Sequence, residues 1–190
     1  MIGLDLTSPL MEHAFAELAV HHVVYDPTLA LMEQYDYPID ELRRREPGLA
    51  KIPPALRGNF TGVEAEDATD ADLEFKKYLA VVRELHRRGI PIVAGTDVGV
   101  PGHSLHRELE LYVEAGFTPL EAIQSATSVA ARVMGRSDLG TIAAGKRADL
   151  IVVAGDPLAD VRALRQVQLV VSRGLRYRPA PLWTLAGFTP

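Results

Sequence analysis

The apolar positions of this chain fall into short continuous runs and one-sided helical stripes. The run at residues 90–94 is continuously hydrophobic and ends at a turn of small residues, 95–99, that carries Asp97. Such a run predicts a strand buried on both faces, as in parallel sheets covered by helices. The segment at residues 23–29 predicts another strand, which ends at Asp26 and Pro27.

Helical stripes predict four helices. Ser8 or Thr7 is placed to cap the first, Thr69 can cap the second, and Thr118 with Glu121 forms a capping box for the fourth. The second helix joins the two predicted strands, which requires parallel pairing and a right-handed crossover. The predicted helices cover residues 10–20, 70–88, 105–115 and 119–134.

The remaining segments have other patterns. Residues 32–67 are rich in proline and glycine and predict a long connection, either a lid on the rim that carries Asp97 or a solvated loop. Within it, the charged segment at residues 40–46 predicts a helical turn or two. Residues 146–153, 167–172 and 175–177 predict short strands, with a hairpin at Arg173 and Gly174. The last residues, 179–190, predict an irregular tail, with Trp183 packing back.

Composition narrows the function classes. A net charge of −5 and scattered basic residues argue against a nucleic-acid partner, and no apolar run is long enough for a membrane span. The chain has no cysteine, so any transition metal must be held by nitrogen and oxygen. We expect a soluble protein, cytoplasmic rather than secreted.

Five motifs occur in a fixed order from the end of the second strand onward. They are Gly95-Thr-Asp-Val-Gly99, His103-Ser-Leu-His-Arg-Glu-Leu-Glu-Leu111, Glu114-Ala-Gly-Phe-Thr-Pro-Leu-Glu-Ala-Ile123, Ala126-Thr-Ser-Val-Ala-Ala-Arg132 and Leu139-Gly-Thr-Ile-Ala-Ala-Gly-Lys-Arg-Ala-Asp-Leu-Ile151. This series resembles the C-terminal portion of the metal-dependent amidohydrolase superfamily, in its imidazolonepropionase-like and Xaa-Pro or Xaa-basic dipeptidase-like branch. The resemblance is strong over the second half of the chain and looser over the first quarter.

The resemblance implies an α/β fold, namely the C-terminal part of a TIM-like (β/α)8 barrel followed by part of a small β-sandwich. We therefore assign residues 1–137 to the partial barrel, with the long loop 32–67, residues 138–178 to the sandwich unit and residues 179–190 to a tail. An intact relative would hydrolyse amide, peptide or cyclic amide C–N bonds with zinc or another divalent metal.

Asp97 matches the family's aspartate after the last barrel strand, so the resemblance implies that it binds the metal and accepts the proton of the attacking water. On residue type and position alone, an aspartate such as Asp97 is most often a turn former or the N-cap of the next helix. His103 and His106 follow on the same rim and are predicted substrate-binding residues, with simple packing as the alternative. No histidine pair has the family's His-x-His spacing, and we expect structural roles for the others, His13, His21, His22 and His86.

Three functional hypotheses remain. The chain is part of an enzyme acting on a small amide or dipeptide, completed by self-association or by another chain. Alternatively, it is a truncated or split non-catalytic domain that acts only by association, because two strands cannot close a barrel of eight. The third, an unrelated α/β domain that binds a small ligand at Asp97, leaves the motif series unexplained.

Overall fold

The helices of the chain are more numerous and shorter than the sequence pattern predicts. The computed structural model describes residues 5–64, 70–97 and 99–190. Its α-helices are α1 (Pro9–Val20), α2 (Leu29–Asp36), α3 (Ile39–Arg45), α4 (Ala71–Arg87), α5 (Ser104–Glu114), α6 (Pro119–Ser125), α7 (Ser128–Val133) and α8 (Pro179–Leu185). Short 3-10 helices occupy Pro47–Ala50, Pro54–Asn59 and Val161–Arg165. No described helix has the length and apolar character needed to cross a membrane.

The first two predicted helices are confirmed. The Ser8 hydroxyl caps α1 by accepting the N–H of Met11 at 3.4 Å. The predicted cap of α4, Thr69, lies outside the described residues. The inward face of α4 is centred on Phe75, Val82 and Leu85.

The predicted helix at residues 119–134 is two helices. Its capping box is present, with Thr118 and Glu121 bonding reciprocally. The helix breaks at Ala126 and Thr127, and the freed carbonyl of Ser125 accepts the N–H of Ala94 at 3.4 Å. The break therefore lets α6 pack its end against the extended segment that leads to Asp97.

The two predicted strands pair in parallel at a single bridge between Tyr25 and Ile92. The N–H of Tyr25 donates to Pro91 O at 2.9 Å, and the N–H of Val93 donates to Tyr25 O at 3.0 Å. The predicted parallel pairing is confirmed, although neither segment forms a regular strand. Barrel closure stays a prediction.

A small antiparallel sheet follows, with strand order β1 (Leu150–Val153), β2 (Val167–Ser172), β3 (Leu175–Tyr177). Arg173 and Gly174 both have positive φ, 52° and 80°, which suits the right-handed twist of a two-residue hairpin. The predicted hairpin is confirmed. A sandwich needs a second sheet, so that part of the prediction is untested.

Two predictions of irregular structure are wrong in part. In the described part of the predicted loop 32–67, the helical turns predicted at residues 40–46 are confirmed as α3, but most of α2 and two 3-10 helices are also present, and the tail contains α8. Thr28, at the N-cap of α2, makes no capping side-chain hydrogen bond. The Glu108 carboxylate of α5 caps it instead, accepting the N–H groups of Leu29 at 3.0 Å and Ala30 at 2.7 Å. A cap so distant in sequence leaves no local signal.

Charged side chains are buried between the same two helices. The guanidinium of Arg107 donates to both carboxylate oxygens of Glu33 on α2, at 2.8 and 2.9 Å. We call residues 138–178, which contain the antiparallel sheet, the β unit. Arg165, in the 3-10 helix of this unit, donates to Glu110 on α5 at 2.6 Å and to Glu46 at 3.0 Å. Charge-assisted hydrogen bonds therefore join α2, α5 and the β unit.

We predict that Glu108→Gln changes how stability depends on pH. Burial raises the pKa of the Glu108 carboxyl from its ordinary 4.5 to about 7, against the opposing effect of the two backbone N–H groups. Between these values the unfolded chain has released the proton and the folded chain keeps it. The free energy of unfolding contributed by Glu108 therefore falls as pH rises, by about 3 kcal/mol.

Urea unfolding of both proteins at intervals from pH 4.5 to 8 measures this contribution as wild type minus variant. Burial lowers the pKa of His106 to about 4, so the contribution of His106 to stability rises with pH, opposite to that of Glu108. Subtracting the variant from the wild type cancels the contribution of His106, because both proteins contain this residue. Glu64→Gln, at an exposed glutamate, is the control. A difference that is equally flat for both variants contradicts the assignment.

We also predict that Arg107→Met destabilises the chain by about 3–5 kcal/mol, because Glu33 is left buried without this partner. Adding Glu33→Leu should recover part of the loss, since both charges are then removed. A double-mutant cycle by chemical denaturation gives the coupling energy. Arg162→Met, which breaks an exposed pair with Asp160, should cost no more than about 1 kcal/mol. An Arg107→Met loss as small as that of the control would refute the prediction.

Candidate functional site

Asp97 lies at the carboxyl end of the extended segment that follows α4. Its φ is +35°, a left-handed conformation that Asp and Asn adopt more readily than most other residues, and its side chain faces solvent. Since residues 25 and 92 pair in parallel, the carboxyl ends of both extended segments meet at one edge. Asp97 therefore lies at the carboxyl edge of the paired segments, and its place on the rim of a barrel stays a prediction.

Asp26, at the end of the other segment, is a second carboxylate at this edge. It packs against the backbone of Gly95 so closely that a Cβ there would overlap its oxygens. Burial and the nearby charge of Asp97 raise the pKa of Asp26, while the N–H groups of Gly95 and Thr28 oppose the rise. The sequence analysis treated Asp26 only as a strand end, although its position after a paired strand was the available signal.

A groove of about 550 Å³ opens beside Asp97. Its walls come from α2, the second 3-10 helix, the chain that follows it, and the turn after Asp97. The lining residues are Leu31, Gln34, Tyr35, Leu56, Asn59, Phe60, Thr61, Gly62, Val63, Asp97, Gly99 and Pro101. This volume is that of a small-molecule site.

Both walls of the groove are anchored. Arg107 and Glu108 hold α2 through the contacts described above. The opposite wall is tied to the α2–α3 junction, because the N–H of Val63 donates to Tyr37 O at 3.2 Å. Gly62 has a φ of +67°, and a Cβ there would lie 2.6 Å from Tyr37 O, so glycine is required at this contact.

His103 does not line this groove. It occupies the N-cap position of α5, where its ring stacks on Trp183 of α8 with centroids 5.0 Å apart. Trp183 thus packs back from the tail, as predicted. Burial lowers the pKa of His103, and its Nε2 is buried without a hydrogen-bond partner among the described residues.

His106 lies one turn further along α5 and is also absent from the groove lining. Its low pKa, caused by burial and by the neighbouring Arg165, keeps the imidazole neutral at pH 7. Substrate binding by His103 and His106 stays a prediction. Of the other histidines, His13, His21 and His22 are exposed, and His86 stacks on Phe117 at 3.8 Å.

The structure brings only two carboxylates together at the candidate site. Within residues 5–64, 70–97 and 99–190, no group of three or more histidine, aspartate or glutamate side chains is arranged to hold a metal ion. Metal sites of the zinc type use at least three protein ligands. Asp97 and Asp26 therefore do not form a complete metal site by themselves.

Comparison with known proteins identifies relatives of known activity. Ochratoxinase from Aspergillus niger is 34% identical over 103 residues, which cover 53% of this chain and 20% of that protein. The crystal structure of a Xaa-Pro dipeptidase with bound methionine superposes with a TM-score of 0.64 and 28% identity, over 87% of this chain and 37% of that one. The A. niger ochratoxinase structure shares the fold, with a TM-score of 0.63 and 22% identity over 88% of this chain and 35% of that one.

The chain thus spans about a fifth of the length of the curated relatives it matches, and little more than a third of the similar solved structures. A family model, in contrast, matches most of this chain. The model of the amidohydrolase family covers residues 11–176, which include both extended segments, Asp97 and the antiparallel sheet. The chain therefore belongs to the amidohydrolase family.

Proposed function

We propose that this chain is the Asp97-bearing part of a hydrolase of amide C–N bonds, with a dipeptide, an N-acyl amino acid or a small cyclic amide as substrate. The observation that carries the proposal is the position of Asp97, at the carboxyl edge of two parallel segments and at the mouth of a groove of about 550 Å³. Family membership supports hydrolysis as the reaction. The names of two neighbours, a dipeptidase and an ochratoxinase, support an amide substrate.

The chemistry proposed for Asp97 is that of a general base. Its carboxylate faces solvent at the groove mouth, where it would accept a proton from the attacking water and pass that proton to the leaving amine. The groove would hold the amide so that its carbonyl carbon lies within reach of that water. Asp26, packed against Gly95, would help to keep the turn that carries Asp97 in place.

A divalent metal, zinc or a similar ion, belongs to the proposal because the family is generally metal-dependent. Asp97 would be one ligand. Since the described residues do not supply a set of three ligands, the others would come from a second copy or from another polypeptide.

The lack of three metal ligands among the described residues also favours a second candidate function. If no other chain supplies ligands, this chain is a non-catalytic domain that acts only by association. Several apolar side chains of the β unit are exposed, including Ile142 at 88% and Leu175 at 63%, as expected of a surface that another polypeptide covers.

We predict that the purified chain binds zinc when it is associated with another copy or a partner, and not as a monomer. Elemental analysis alongside light scattering should find about one zinc per chain in an associated species, where a partner or copy completes the site. A metal-free monomer contradicts the catalytic proposal and supports the association domain.

We further predict that Asp97→Asn lowers the hydrolysis of dipeptides by the metal-loaded assembly by about 10²–10⁴-fold, the usual contribution of a general base. Asparagine tolerates the positive φ at this position, so the far-UV circular dichroism and the urea midpoint should stay unchanged. Asp40→Asn, on the exposed surface of α3, is the matched control. A variant at Asp97 with full turnover would overturn its assignment.

A further inference from the structure

We infer that the groove beside Asp97 selects an uncharged amide with a large apolar or aromatic side chain, and that Tyr35 and Phe60 determine this preference. The inference rests on the proposed function, because it takes the groove to be the site that binds substrate. It adds the chemical class of the substrate.

The size of the groove favours a large side chain. A volume of about 550 Å³ lies within the range of pockets that bind small molecules. A small aliphatic side chain would leave much of this volume to water and would bury little apolar surface. A phenyl or similar ring would fill more of it and exclude that water, which favours binding.

The charge of the groove favours a neutral ligand. Among the described residues that line it, Asp97 carries the only charge, and the polar members Gln34, Asn59 and Thr61 are uncharged. An acidic side chain would lose its water, gain no cationic partner and be repelled by Asp97. A basic side chain inside the groove would lose its water, and its pairing with Asp97 would contribute little because that carboxylate is exposed to solvent.

The amide side chains suit a peptide backbone. Gln34 donates its amide N–H to the carbonyl of Ala30 at 3.4 Å, which orients the side chain along α2. Gln34 and Asn59 both line the groove, and each side chain carries both a donor and an acceptor. They therefore match a neutral amide unit, which also carries one of each.

Tyr35 and Phe60 supply the aromatic surface. Tyr35 is 62% exposed at the edge of the groove, and Phe60 is 9% exposed within its lining. Contacts between these rings and an aromatic ligand add about 0.5–1.5 kcal/mol beyond the area buried. Tyr35 belongs to α2, whose backbone Glu108 and Arg107 anchor.

Binding can be tested on the chain as it exists, without metal or turnover. Probes of equal backbone are N-acetyl-phenylalanine amide, N-acetyl-lysine amide and N-acetyl-glutamate amide, titrated into the chain and followed by backbone amide shifts in NMR. We expect the phenylalanine probe to bind at least about tenfold more tightly than either charged probe, with the largest shifts at residues of the groove.

Variants locate the preference. Tyr35→Ala should weaken binding of the phenylalanine probe by about five- to tenfold and leave the charged probes unchanged, because only the aromatic contact is lost. Tyr177→Ala, at a tyrosine of β3 outside the groove, is the matched control and should have no effect. Phe60→Leu is the second variant, which keeps an apolar wall without the ring and guards against a folding defect.

Equal or tighter binding of a charged probe, no saturable binding of any probe, or equal effects of Tyr35→Ala and Tyr177→Ala would overturn the inference. These outcomes are separate from failure of the proposed function. A chain that binds the neutral aromatic probe selectively and hydrolyses nothing keeps the inference and loses the proposed function. A chain that hydrolyses amides without side-chain preference keeps the proposed function and loses the inference.

Discussion

The contact between the Glu108 carboxylate and the N-terminus of α2 determines the geometry of the candidate site. α2 has eight residues, and a helix of this length is not stable in water by itself. Two buried N–H groups at its start would be unsatisfied without Glu108, at a cost of about 1–3 kcal/mol each. With Glu108 in place, α2 presents Leu31, Gln34 and Tyr35 to the groove.

The neighbouring ion pairs extend this anchoring to the rest of the chain. Arg107 fixes the middle of α2 through Glu33, and Arg165 fixes the β unit to the far side of α5 through Glu110. Since α5 begins just after the turn that carries Asp97, one helix positions the groove wall, the candidate catalytic residue and the small sheet. Removing a single charge from this interior therefore affects parts of the molecule that are remote in sequence.

The sequence allowed prediction of features with a local cause. The capping box of Thr118 and Glu121, the cap at Ser8 and the hairpin at Arg173 each depend on a few adjacent residues, and each was found. α2 was missed because its cap comes from Glu108, and α8 was missed because its proline-rich sequence has little helical pattern. Asp26 became a site residue only through the parallel pairing of residues 25 and 92, which joins distant positions.

The distance in sequence between α2 and its cap also bears on how the protein forms during synthesis. Leu29 and Glu108 are 79 residues apart. At a translation rate of about 5–20 residues per second, roughly 4–16 s pass between the synthesis of Leu29 and the synthesis of Glu108. Over this interval α3 and α4, which also contact α2, have been made, but the N–H groups of Leu29 and Ala30 have no carboxylate to accept them. The groove wall is thus completed only after α5 has been synthesised.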